Sequence, residues 1–236
     1  MYVGEEVGGG TVVRELAEER PVAIPYEGEF LTGSVAVPVF PAAVVVIADD
    51  RGCSRQTASK RALARALREA GLATVMVDLL TPDEQASWAA PRLRQDAVLL
   101  ARRIEAACQW VSLRPNLAWL PIALLGEDGA AAAVLRACAA RPHDYVSAVA
   151  CGPGPYPMGI VLELVETPVL LVPTGARAEL ALESSDFILR QLRNRRSDQA
   201  RSARRETRCA GNAYSARHGA GFARTRARRG LDVPGK

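Results

Sequence analysis

Histidine and lysine are almost absent from this chain, which has two histidines among 236 residues and lysine only at positions 60 and 236. Any reaction that needs an imidazole therefore has just His143 and His218 to draw on. Five cysteines (53, 108, 138, 151 and 209) form no C-x-x-C pair. Their odd number and the apolar settings of Cys108, Cys138 and Cys151 argue against a disulfide framework and for reduced intracellular thiols. No apolar run reaches the length of a membrane span: the longest, Val35 to Ala48, is short and holds Pro38 and Pro41. The N-terminus carries Glu5 and Glu6 where a signal peptide would be basic, so the expected location is the cytoplasm. No GxxxxGK[ST] phosphate loop occurs, and the first strong strand runs into ADDRGCSR rather than GxGxxG. Mononucleotide and dinucleotide folds lose their main support there.

What is present is ordinary for a globular protein, at 49% hydrophobic and 24% charged residues. The net charge of +4 conceals a division. Residues 193–236 hold 13 Lys/Arg against 3 Asp/Glu, which leaves 17 against 23 in residues 1–192. The body is thus about −6 and the tail about +10. Nucleic acid is expected as a partner only through that tail, and a membrane not at all.

Hydrophobic patterning divides the chain into a Gly-rich lead-in (1–19), an α/β domain (20–192) and an Arg-rich tail (193–236). Two short strands are expected around the turn pair Glu27-Gly28. The continuous β-branched run at 43–50 reads as a strand buried on both faces and 73–80 as the next buried strand, with further strands at 120–126, 145–152 and 168–175. Between them the three- and four-residue apolar spacing predicts helices over 57–70, 92–112, 129–142 and 178–192. Such alternation implies a mostly parallel sheet with helices on both sides. The tail has almost no Val, Ile or Leu, so no further strand is expected from it and disorder is. A sheet lacking its closing strand would expose an edge open to self-association. Because Arg, Ala and Gly dominate GC-rich sequence read out of frame, a frame change near residue 193 is one explanation of the tail, and a genuine basic arm is the other.

Ligands of parallel sheets bind at the carboxyl ends of the strands. The sharpest such place is LLGEDGAAAAVL (124–135), where a strand meets a small-residue helix. A strained turn of this kind requires small residues two before and two after its tip. Asp128 satisfies this with Gly126 and Ala130, whereas Glu127 has Leu125 two before it. Asp128 is the candidate catalytic residue. Asp49, Asp50, Gly52, Cys53, Glu127, Gly129 and Cys151 are the expected pocket lining.

The run RGCSRQTASKRALARALREAGLATVMVDLLTPDEQ, with the strand before it and LPIALLG and GAAAAVLRACAARP after it, resembles the dienelactone-hydrolase branch of the α/β hydrolases. The likeness extends over roughly residues 20–192, and 66–84 is its most distinctive part. It implies an α/β-hydrolase-type sheet and cleavage of esters or lactones by a nucleophile, a histidine and an acid, without metal or cofactor. The family's nucleophile falls on Asp128, and the His-Gly pair of its oxyanion loop falls on Asp49-Asp50. Gly52, Ser54 and Arg55 keep the look of that loop. The family's acid falls near Arg177, with Glu179 the nearest carboxylate, and its histidine has no counterpart. His143 precedes a strand, at the wrong end of the sheet, and His218 has no strand to aim it.

The expectation is therefore a hydrolase fold with impaired or absent hydrolysis, taking an ester- or lactone-like small molecule. The alternative is a non-catalytic binding module with a basic arm. An aspartate at the tip could itself be the nucleophile, but it would still need a histidine to activate water. Asp49, Asp50, Glu127 and Asp128 could crowd a divalent cation, although solvated loop carboxylates are the commoner outcome. Cys53 or Cys151 could serve as a thiol nucleophile only with a histidine near.

Overall fold

In the computed structural model, residues 18–51, 57–152, 158–173 and 177–222 are described, and the lead-in falls almost wholly outside them. The chain divides into two compact units, Met1–Gln191 and Leu192–Lys236. In the first, a seven-stranded sheet has the order β1-β2-β4-β3-β5-β6-β7. β1 (Arg20–Tyr26) and β2 (Glu29–Ala36) form an antiparallel hairpin through Glu27-Gly28, both at positive φ. β2 lies antiparallel to β4 (Ala73–Asp78). From there β3 (Val44–Asp49), β5 (Ile122–Glu127), β6 (Tyr145–Cys151) and β7 (Val169–Val172) run parallel. Every residue of β3, β4 and β6 is buried, which is why their sequences are continuous apolar runs instead of alternations.

Helices cover the sheet as the periodicity predicts, with additions. α1 (Ala58–Glu69) buries Leu63 and Leu67, and α5 (Gly129–Ala140) packs its alanines against β5, β6 and α4. The single helix expected over 92–112 is interrupted. Short α2 (Pro82–Ala86) and α3 (Ala90–Leu93) precede α4 (Ala97–Ser112). Asp96 ends the break, its Oδ1 accepting from the amides of Val98 and Leu99 at 3.1 and 3.0 Å. The apolar spacing continues through the break, so periodicity alone misses it, whereas the N-cap aspartate marks it. Short α6 (Met158–Glu163) also escapes the sequence reading.

α7 spans Arg177–Phe222, so helix continues into the segment whose composition suggests disorder. Arginine and alanine are good helix formers and no proline interrupts them. The described arginines from residue 193 onward whose burial is resolved, Arg193, Arg195, Arg196 and Arg201, are exposed. Among the described residues no strand follows β7.

One buried cation fastens the α2–α3 segment. Arg103 of α4 donates to both oxygens of Glu84, at 2.5 and 2.7 Å, and to the Leu79 carbonyl at 2.7 Å. Its guanidinium also lies 5.1 Å from the Tyr26 ring centre. Glu84 completes a capping box with Thr81, receiving the Thr81 amide at 2.9 Å. The bonds from Arg103 hold the Glu84 carboxyl below its ordinary pKa. Removing Arg103 leaves the half-buried Glu84 carboxylate without its cation. Arg103→Ala is accordingly expected to lose about 3 kcal/mol of stability in urea unfolding near neutral pH. That loss should shrink as pH falls through the lowered pKa of Glu84 and the ion pair is lost in the parent protein as well. A loss below about 1 kcal/mol would show that the clamp is not structural.

Candidate functional site

β5 enters α5 through Glu127-Asp128-Gly129, and the turn is as tight as the small residues at 126 and 130 allow. A side-chain carbon at Gly126 would stand 2.6 Å from the Ala130 carbonyl oxygen and 2.8 Å from Val134 Cγ2. Asp128 takes φ 51° and ψ −118°, a strained conformation for any residue with a side chain. Its amide donates to the Cys151 carbonyl at 2.9 Å, tying the turn to the end of β6. The fold thus presents Asp128 at the tip, where the sequence placed it.

Arginine meets this carboxylate. Arg51, just beyond the end of β3, donates from Nη2 to Asp128 Oδ2 at 2.7 Å. The same strand end carries Asp49 and Asp50, 1% and 6% exposed. Asp49 Oδ1 accepts from the Arg51 amide at 3.0 Å and lies 2.5 Å from Lys60 Nζ of α1, while its Oδ2 is buried without a hydrogen bond. Burial, and then the neighbouring charge of Asp49, push the Asp50 carboxyl above its usual range. Asp50 packs over Gly129, where an added side-chain carbon would collide with Asp50 Oδ2 and with the Arg94 carbonyl at 2.8 Å.

A cleft of about 400 Å³ opens beside these groups, lined by Asp50, Arg51, Pro91, Arg94, Gln95 and Gly129. The break between α3 and α4 brings Arg94 and Gln95 there. Arg94 is anchored by its Nε, which donates to the Asp50 carbonyl at 3.2 Å, and it makes no ion pair among the described residues. Its guanidinium is thus part of the cleft lining, without a partner carboxylate among the described residues.

Of the expected lining residues, Asp49, Asp50, Glu127, Gly129 and Cys151 all lie at the carboxyl ends of β3, β5 and β6. Asp50 and Gly129 reach the cleft itself, while Cys151 is buried. Gly52 and Cys53 lie outside the described residues, as do the side chains of Arg177, Glu179 and His218. His143 sits in the turn before β6, at the opposite end of the sheet from Asp128. Among the described residues no group of three or more His, Cys, Asp or Glu is arranged to hold a metal ion. No helix among them is long and apolar enough to cross a membrane. Burial pushes the Cys108 and Cys138 thiols up to about 12, so neither is a thiolate near neutral pH.

The cations Arg51, Lys60 and Arg94 are what the motif reading missed. Arginine is too common in this chain to stand out, but Lys60, the one lysine before the last residue, was a visible signal.

Two stability effects follow from this geometry. Gly126→Ala is expected to cost about 2 kcal/mol or more, because the added methyl meets backbone that cannot move aside. Asp50→Asn should stabilise the protein near neutral pH. A raised folded-state pKa means that the ionised carboxyl opposes folding, a penalty that sets in as pH rises through that pKa. The gain should vanish in acid, where parent Asp50 is neutral. Parallel urea titrations at the two pH values test both variants, and a pH-independent gain for Asp50→Asn would contradict the electrostatic cause.

No family model matches the chain. Two Mycobacterium tuberculosis proteins, from strains CDC 1551 / Oshkosh and H37Rv and provisionally named phosphoribosyl transferases, are each 35% identical over 153 residues. The match takes in 65% of this chain but 34% of theirs, so the chain spans about a third of the length of those relatives. Among solved structures, dienelactone hydrolase from Anabaena variabilis superposes with a TM-score of 0.61 at 25% identity, covering 74% of this chain and 98% of the other. The esterase Est1E from Butyrivibrio proteoclasticus shares the fold at 10% identity and a TM-score of 0.56, over 73% and 98% of the two chains. With this sheet order and the strand-to-helix turn at residue 128, the chain has an α/β-hydrolase fold and is similar to dienelactone hydrolase in its architecture.

Proposed function

We propose that this protein keeps the esterase framework but does not hydrolyse esters by the nucleophile–histidine route of its family. The observation that carries the reading is the pairing of Asp128 with Arg51 at 2.7 Å. A carboxylate at the elbow tip, held by a guanidinium, is a weak nucleophile for an ester carbonyl. The acyl-enzyme it could form would need an activated water to be released. The described histidine lies at the other end of the sheet.

A binding role is the second reading, and the cleft favours it. Arg51, Arg94 and Gln95 supply donors around an opening next to the N-terminus of α5. In this reading the pocket holds a small polar ligand without turning it over, and the Arg-rich segment adds electrostatic attachment to a polyanion. The phosphoribosyl-transferase name belongs to proteins about three times as long as the matched region, and it bears on this chain only as a hint that the ligand carries phosphate.

Hydrolysis of p-nitrophenyl acetate by the parent, Asp128→Ala and Asp128→Ser proteins separates the readings. The expected result is background turnover in all three, since a serine at 128 would still lack a base. Parent turnover that falls tenfold or more in Asp128→Ala would overturn the proposal and make Asp128 the nucleophile. Background turnover together with ligand-induced thermal stabilisation would favour the binding role.

A further inference from the structure

A second groove, of about 600 Å³, lies far from the elbow. Its walls are the β1–β2 hairpin and the carboxyl-terminal end of α4. The pairing registers place it at the amino ends of the parallel strands: Val35 of β2 faces Val75 near the start of β4, and Arg20 of β1 faces Val35. Asp128, at the carboxyl end of β5, is at the opposite end of the sheet.

One side of the groove is apolar, formed by the half-buried Val22, Val35 and Val37 with buried Leu117. The other side is cationic. Arg114, one helical turn beyond Trp110, lies with its guanidinium 4.4 Å from the Trp110 ring centre. It is exposed and makes no ion pair among the described residues. Stacking on an aromatic face fixes a guanidinium in place while leaving its hydrogen-bond donors available. Arg20 stands at the rim, its charge partly answered by Glu18 at 3.9 Å. Trp110 also lines the groove; it is 8% exposed, and its indole N–H is buried with no acceptor. Volume, an apolar wall and a stacked cation without an ion pair among the described residues are the ingredients of a small-molecule site.

We infer that this groove is a second ligand site, selective for a small amphipathic anion. The hydrocarbon part lies against the valine wall and the carboxylate is held by Arg114. The charge of the occupant follows from complementarity, because among the described residues Glu18 is the one carboxylate lining the groove, and it already faces Arg20. The inference stands apart from the function proposed for the elbow and does not depend on whether that centre turns over.

Isothermal titration of the full chain with octanoate, and with neutral octanamide, tests it. Octanoate is expected to bind and octanamide to bind at least tenfold more weakly. Arg114→Gln should weaken octanoate binding about tenfold, the loss of one charge-assisted contact, and Arg114→Lys should recover most of it. Asp128→Asn should leave it unchanged. The proposal is overturned if octanoate does not bind or if octanamide binds equally well. It fails also if Arg114→Gln binds like the parent, which would put the anion on the Arg-rich segment, or if Asp128→Asn shifts the affinity, which would put it in the elbow cleft.

Discussion

The close approach of β5 and α5 across Gly126 and Ala130 is the constraint on which the site depends. Two backbones meet there at a distance that excludes even a methyl group. The chain can turn only if the residue between them adopts positive φ, and that residue is Asp128. Its side chain is therefore held outward by main-chain geometry, and changing the side chain does not remove the turn. The form of the turn is thus independent of which side chain stands at residue 128. Sterics preserve the position, while chemistry is free to change.

Around that fixed point the electrostatics are locally balanced. Asp49 has Lys60, Asp128 has Arg51, and Asp50 lies buried against Gly129 with a raised pKa. Arg94 lines the cleft without an ion pair among the described residues, held by its bond to the Asp50 carbonyl. The break between α3 and α4 makes this possible, and the Arg103–Glu84 pair secures the segment leading into it. A buried arginine 24 residues along the chain from the carbonyl it grips thus helps shape an opening it does not line.

Much of the fold could be read directly because burial on both faces leaves a strong mark: ATVMVD and VVVIAD have few alternatives to central strands. The tip residue was legible for the same steric reason, through glycine and alanine flanking Asp128. The helix break was not, since Leu93 and Leu100 stay in phase across it. The cations of the cleft were also hidden. An arginine becomes a site residue only when a carbonyl from a distant strand end, such as that of Asp50, holds it, and no spacing rule encodes that contact. Helix in the Arg-rich stretch was obscured because low hydrophobicity argues against burial, which is a different property from backbone propensity.

The exposed arginines at the start of the Arg-rich segment have a consequence for how the protein could be controlled. A guanidinium does not lose its proton within any physiological range, and it is not a substrate for the acylation that neutralises lysine. The positive charge those arginines give the segment is thus a permanent property of the polypeptide, indifferent to pH and to lysine chemistry. Ionic strength is the variable that remains, so dissolved salt sets how strongly that segment is felt by anything that approaches it.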